Sequence, residues 1–591
     1  MMQKYILPVL TALILVLFFS GMPELDRVPV VKLVSSRSIE YKNAHRKKRI
    51  DRIDVLLMAT FTLVFGIIDF AGLGNRVSVE TFADMEGTTT VFSLEEPAVP
   101  GELHLFSGVG YGVYSIEFSS DGISYDSCES FMQDAGEVLR WNTVYPIYSE
   151  KCSYLRVSCH GTAWLGEVCF LDSEMNQIPL SCPISELTDE QNKLCREYSY
   201  MNSTYFDEIY HARTAWEHLN NVFPYEISHP PLGKLIIALG ISLFGMTPFG
   251  WRFSGVLFGV LMLPIMYIFL KKLFGSRRVS AAGTLVFATD FMHFVQTRIA
   301  TIDTYSVFFI LLMYLFMYIY ISEEKLWSLA LSGICFGLGA ASKWTSIYAG
   351  AGLAVIWGIY HIINREKGIQ NFLRNSLFCF VFFVLVPCLI YYISYLPYGT
   401  AQGITNIFSR EYMNIVLENQ QYMFSYHSNL IAEHPYSSVW YQWLLDIRPI
   451  LYYLNYFSDG TRSSFGAFVN PMLCWGGLLA LFVLIYEAFF RLDRDALFIL
   501  IGYFSQLVPW MFVTRLTFEY HYFPCTVFLV LAVSYIFRLM ENRTKRFKLF
   551  IWGFPAVSLA LFLLFYPALS GYRVDNSAAT RIFSWLPTWP F

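Results

Sequence analysis

Charge is scarce in this chain. Only 15% of its 591 residues are Asp, Glu, Lys or Arg, against about 25% in soluble domains. That deficit excludes an ordinary soluble enzyme of this length. Long basic tracts are also missing, and the few basic runs are short flanks of apolar stretches, which argues against a nucleic-acid partner. No CxxC pair occurs, which removes the usual spacing of a structural zinc site. His427 and His434 lie seven residues apart and lack the HExxH spacing of a zinc protease. Ser437-Ser438 has no GxSxG frame, so nothing local marks a serine nucleophile there. The glycine-rich Ser107–Gly112, SGVGYG, has no strand–helix context and is not a nucleotide loop.

What the chain has instead is apolar length. Hydrophobic residues make up 55% and aromatic residues 18%, and apolar runs near 20 residues match a bilayer core of about 30 Å. This is the composition of a polytopic membrane protein. Tyr5 to Phe19 is short and lacks a clear cleavage site, so it reads as an uncleaved helix. Lys42, Arg46, Lys47, Lys48, Arg49 and Arg52 make the next loop cytoplasmic by the positive-inside rule. Val55 to Ile68 then crosses outward. Further apolar segments are expected at 249–270, 279–294, 305–321, 326–341, 346–363, 375–396, 467–490, 496–513, 522–537 and 549–567, about twelve spans in all. The run after Lys234 is too short to count alone. Basic stretches at 271–278, 364–374 and 538–548 mark cytoplasmic loops. Alternation then places 75–248, the turn near 295–304, the loop 397–466 and the stretch around 514–521 outside.

Residues 75–200 change character. VYSIEFSSDG, SYLRVSC and TAWLGEVCFLD alternate with period two between Gly, Ser and Asp turns, the pattern of a β-sandwich. The pattern resembles a discoidin-like, galactose-binding jelly roll, implying either a surface-binding module or a structural cover. Six cysteines cluster here, Cys128, Cys152, Cys159, Cys169, Cys182 and Cys195. They permit up to three disulfides on an oxidising side, or remain free thiols.

The expected outer face collects the ionisable residues. Asp207 and Glu208 stand together, followed by His229, Lys234 and Arg252, then Arg298 and Asp303, and later Arg515 and His521. Charges near a bilayer persist mainly where they pair, line a cavity or do chemistry. An acid pair with surrounding cations suits transfer from a phosphate-linked donor. A carboxylate takes the proton of the incoming hydroxyl, and cations stabilise the departing phosphate. Snorkelling and ion pairing between helices remain the alternative for any single residue.

DEIYHARTAWEH, HPPLGK, PFGWRFSG, RIATIDTYSVFF, SKWT, HPYSSVWYQW, RPILYY, VNPMLCWGG and PWMFVTRLTFEYHYFP together resemble the protein O-mannosyltransferase family of GT-C membrane glycosyltransferases. The resemblance implies inverting transfer of mannose from a polyprenyl-phosphate carrier to Ser or Thr hydroxyls of exported proteins. It places the catalytic Asp-Glu pair at Asp207-Glu208 and the family's phosphate-side arginine at Arg252, and the charges around it make Lys234, Arg298 or Arg515 the expected helpers. His229, Asp303, His434, Trp440 and His521 are expected in the sugar or acceptor pocket. No metal is required if arginines carry the phosphate charge, although an acidic pair beside a phosphate also suits a divalent ion.

The expected organisation is therefore 1–53, a first helix with a basic cytoplasmic segment; 54–74, the first family-type span; 75–200, an inserted β-sandwich; 201–248, an external loop with the Asp-Glu motif; and 249–591, the membrane bundle. The absence of a sugar-binding MIR domain gives a bacterial style and a bacterial plasma-membrane location, with the site outside. Transfer to a glycan or lipid acceptor, and a transporter or flippase, stay open as alternatives.

Overall fold

A computed structural model describes residues 6–20, 49–134, 136–541 and 545–591. Lys42, Arg46, Lys47 and Lys48 of the basic loop, and 542–544 of the last basic stretch, lie outside the described residues. The chain divides into two compact units. A helical unit comprises 1–71, 227–233 and 255–591, and a sandwich unit comprises 72–226 and 234–254.

Among the described residues, nine helices are long and apolar enough to cross a membrane, from Arg52–Phe70 to Leu549–Ser570. Leu7–Val16, Leu232–Phe244 and Leu326–Ser342 are shorter apolar helices. The protein is thus a multi-pass membrane protein. One expected span is interrupted: 279–294 breaks into Arg277–Ala288 and Phe291–Arg298. Asp290 is the reason. Its carboxylate accepts the His293 N–H at 3.2 Å as an N-cap and the Asn470 N–H at 3.0 Å. The N-terminal helix Ile6–Ser20 packs on Pro471–Phe490, where Leu15 lies against Gly476.

The helix Arg52–Phe70 starts with a reciprocal cap between Asp51 and Asp54. Asp54 is fully buried and also receives Tyr267 Oη at 2.8 Å, Lys271 Nζ at 3.1 Å and Arg277 Nε at 3.1 Å. A buried carboxylate is tolerated because three donors replace its water. Two of those donors, Lys271 and Arg277, belong to the basic 271–278 stretch.

The sandwich unit holds two antiparallel five-stranded sheets. One has the order β1(Ala83–Asp84)–β8(Trp164–Asp172)–β3(Pro100–Ser107)–β6(Arg140–Val144), with β9(Gln177–Ile178) also on β8. The other runs β10(Leu180–Ser181)–β2(Thr89–Ala98)–β7(Cys152–Gly161)–β4(Gly112–Ser119)–β5(Asp126–Gln133). Leu103, Leu105, Val168 and Phe170 from one sheet share a core with Phe92, Ile116, Phe118, Leu155 and Val157 from the other. The alternation read in the sequence is the pleat of these strands. Cys152, Cys159, Cys169, Cys182 and Cys195 are free thiols.

Candidate active site

The Asp-Glu pair opens the helix Glu208–Leu219 of the sandwich unit. Phe206 precedes it with φ +48°, a left-handed conformation costly for a residue with a side chain. That turn sets Asp207 in the N-cap position, yet its carboxylate does not cap the helix.

The two acids differ in surroundings. Asp207 is half-buried, whereas Glu208 is fully buried. Glu208 receives Arg252 Nε on Oε1 at 2.7 Å and Arg252 Nη2 on Oε2 at 2.7 Å, a fork-to-fork pair. Trp251 Nε1 adds 3.3 Å and the Tyr205 N–H 3.3 Å. Arg252 is itself 1% exposed. Its remaining donors reach the carbonyls of Leu73 at 2.8 Å, Tyr200 at 2.6 Å and Ser203 at 2.8 Å. All five guanidinium N–H groups are therefore engaged within the protein, leaving none for a phosphate. Lys234 is similarly committed, donating to Glu226 O at 2.7 Å and Glu226 Oε2 at 2.5 Å with no exposed surface.

Arg298 belongs to the helical unit. It donates to the carbonyls of Asp69 and Ala71 and lies 4.9 Å over the Phe294 ring. A cation at the C-terminal carbonyls of Arg52–Phe70 satisfies groups the helix leaves open.

A second cluster forms within the helical unit. Asp303 opens the helix Asp303–Glu323 and accepts Lys343 Nζ at 2.7 Å. Lys343 sits 5.4 Å from the Tyr520 ring centroid, and Tyr520 stacks on His521 at 4.4 Å. His229 meets His427 edge-on at 5.2 Å, and His427 Nε2 pairs with Ser228 O at 2.9 Å. Burial pushes the His427 pKa down to about 4, and the positive charges of His229, Arg515 and Lys343 add to that push. The imidazole is thus neutral at physiological pH. Arg515 is half-buried.

His434 packs edge-on against Phe518 at 5.0 Å, and its Nδ1 accepts the Tyr436 N–H at 3.2 Å. Trp440 contacts Tyr441 edge-on at 5.7 Å, while Trp443, 1% exposed, stacks on His521 at 6.1 Å. The arrangement thus joins Asp303 to His521 through Lys343 and Tyr520, and His229 to His427, with Arg515 entering through its charge on His427. It adds Lys343 and His427, which the sequence reading did not assign to a site. Lys343 lies in SKWT, and its burial beside Asp303, forty residues away, was the missing signal. Among the described residues no group of three or more His, Cys, Asp or Glu gathers to hold a metal ion.

Comparison with known proteins decides the family. Residues 228–391 match the family profile described as dolichyl-phosphate-mannose-protein mannosyltransferase. Residues 412–589 match the C-terminal four-span region of protein O-mannosyltransferase. The chain belongs to the protein O-mannosyltransferase family. A polyprenol-phosphate-mannose–protein mannosyltransferase of Mycolicibacterium smegmatis is 24% identical over 453 residues, covering 65% of this chain and 87% of its own. The Mycobacterium tuberculosis protein of the same description is 23% identical over 451 residues, covering 65% and 86%. Among solved structures, the Saccharomyces cerevisiae Pmt1-Pmt2 complex bound to the sugar donor superposes with a TM-score of 0.58 at 14% identity, covering 66% of this chain and 89% of that one. The transferase therefore has the fold of polytopic GT-C glycosyltransferases. The matched profiles begin at residue 228, so Asp207-Glu208 and the β-sandwich lie outside them.

Proposed function

We propose that this transferase moves mannose, with inversion, from a polyprenyl-phosphate carrier to Ser or Thr hydroxyls of exported proteins, at the extracytoplasmic face of a bacterial plasma membrane. The donor class and the protein acceptor follow the descriptions of the mycobacterial relatives. One observation supports the division of labour: Glu208 is sealed against Arg252, and Asp207 beside it is half-buried. Asp207 is the general base. The acceptor hydroxyl oxygen forms a bond to the anomeric carbon, and its proton passes to the Asp207 carboxylate. The bond from the anomeric carbon to the phosphate oxygen breaks, and the electron pair leaves with polyprenyl phosphate.

Glu208 and Arg252 fix the start of the helix that carries Asp207. Within the helical unit, Arg515 and Lys343 are the cations whose charge suits a leaving phosphate, with His427 and His229 as neighbours. This reassigns the phosphate role from Arg252 and Lys234, whose donors face protein oxygens, and from Arg298, whose Nη1 is held by the carbonyls of Asp69 and Ala71. Asp303 positions Lys343. His434 and His521 line the sugar side with Trp443, and Trp440 precedes Trp443 by three residues in sequence.

The test is mannose transfer in nanodiscs from polyprenyl-phosphate mannose to a Ser/Thr peptide, with a glycan and a lipid offered in parallel. Chelator is present, since the cations replace a metal in this reading. Peptide labelling supports the proposal. Labelling of only the glycan or the lipid overturns the acceptor, and a requirement for a divalent ion overturns the metal-free phosphate site.

A further inference from the structure

The SGVGYG segment, which is not a nucleotide loop, has a structural role. Gly110 has φ +89°, and a Cβ there would stand 2.0 Å from Thr162 O. At Gly112 a Cβ would meet Ala163 Cβ at 2.9 Å and Cys159 Sγ at 3.0 Å. The turn is thus pressed onto 159–163 and pinned by the Thr162 N–H to Tyr111 O at 2.7 Å. Between the two glycines the Tyr111 ring projects, 42% exposed.

Tyr111 is not isolated. Its ring lies 5.9 Å from Tyr225, which is 36% exposed, and Tyr225 stacks on Tyr210 at 6.2 Å and 17°. Tyr210 sits one helical turn beyond Asp207, on the same side of the helix. Arg213 is 5% exposed and lies 4.1 Å from the Tyr225 ring centroid and 5.6 Å from that of Tyr111. Its Nε is tied to Glu217 at 2.7 Å, and Glu217 also accepts the Tyr225 N–H at 2.7 Å. Arg213 Nη1 meets no oxygen, so its charge falls on the ring faces. The row is stiff, and it is partly open to solvent.

We propose that Tyr111, Tyr225 and Tyr210 form a subsite for the acceptor polypeptide, binding an extended, uncharged, proline-containing stretch beside the modified hydroxyl. This rests on the protein-acceptor reading above and on Asp207 as the base. The ring spacings of 6.2 and 5.9 Å match two residues of polyproline-type chain at about 3.1 Å each. Flat rings accept pyrrolidine faces, and tyrosine hydroxyls reach backbone carbonyls. The inserted sandwich thereby selects acceptors through Tyr111, a residue outside the matched family profiles.

The experiment compares a short Ser/Thr acceptor with the same acceptor extended by a proline-containing flank, using the full chain in nanodiscs. The extended peptide is expected to show the lower KM. In Tyr111→Ala that advantage disappears, a rise of about tenfold in KM for the extended peptide. Tyr111→Phe, which keeps the ring, restores most of it. Melting temperature is read alongside, and Tyr225→Ala provides a second variant should Tyr111→Ala fold poorly. Direct binding of the fluorescently labelled extended peptide is measured as well, so the subsite is judged even if mannose transfer itself fails. Equal KM and equal peptide binding in native protein and both Ala variants overturn the proposal. A loss confined to a mannose oligosaccharide also overturns it, in favour of a sugar subsite.

Discussion

Asp207 and Glu208 are neighbours in sequence with different fates. The two acids were legible as charges near a membrane boundary, but their different burial was not. That depends on Arg252, forty-four residues away, and on backbone carbonyls as far back as Leu73. No local pattern encodes such a contact, so an arginine read as a phosphate ligand is found holding a glutamate. Glu208→Gln leaves the Arg252 guanidinium buried against a neutral amide. The expected cost is about 3–5 kcal/mol, read as a large fall in melting temperature. Arg515 presents the opposite case, a half-buried cation whose charge acts on His427. Arg515→Gln is expected to lower kcat/KM for the donor by about a hundredfold with little change in melting temperature, measured by steady-state transfer at varied donor.

Elements were the more readable scale. Period-two alternation identified strands because each sheet has one face on the shared core, as in β7 with Leu155 and Val157 inside. Apolar length found the spans because a helix must cross a fixed thickness. It failed at 279–294, where a single carboxylate, Asp290, caps a new helix inside an apolar run. The sandwich also contains a buried acid, Glu167, which accepts the Glu190 N–H at 2.6 Å. Burial raises its pKa to about 8 from 4.5. The folded state therefore binds a proton that the unfolded chain releases. Its stabilising contribution is complete below about pH 4.5 and is lost as pH rises through about 8. Melting temperature should accordingly fall between pH 5 and pH 8, in the window that this pKa sets. In Glu167→Gln that part of the slope should vanish. An unchanged slope in the variant would contradict the assignment.

At the scale of the whole molecule, a helical unit with the GT-C fold carries the cation cluster, and a sandwich unit carries the acid pair. The resemblance of scattered motifs to one family was enough to anticipate this fold, because many of them run along the chain in the family's order, from DEIYHARTAWEH to PWMFVTRLTFEYHYFP. The division into units was less legible. The sandwich unit reaches beyond 200 to take in Glu208–Leu219 and residues 234–254, since Arg252 and Lys234 bond within it.

The central claim is that Asp207 is the base while Glu208 is a structural anchor. It is tested most directly by single-turnover mannose transfer to a Ser/Thr peptide, with donor binding and melting temperature measured on the same samples, in native protein and Asp207→Asn. The account predicts a loss of transfer of at least about a hundredfold in Asp207→Asn, with donor binding and melting temperature retained. Transfer that survives in a folded, donor-binding Asp207→Asn protein would contradict it and move the base to Glu208.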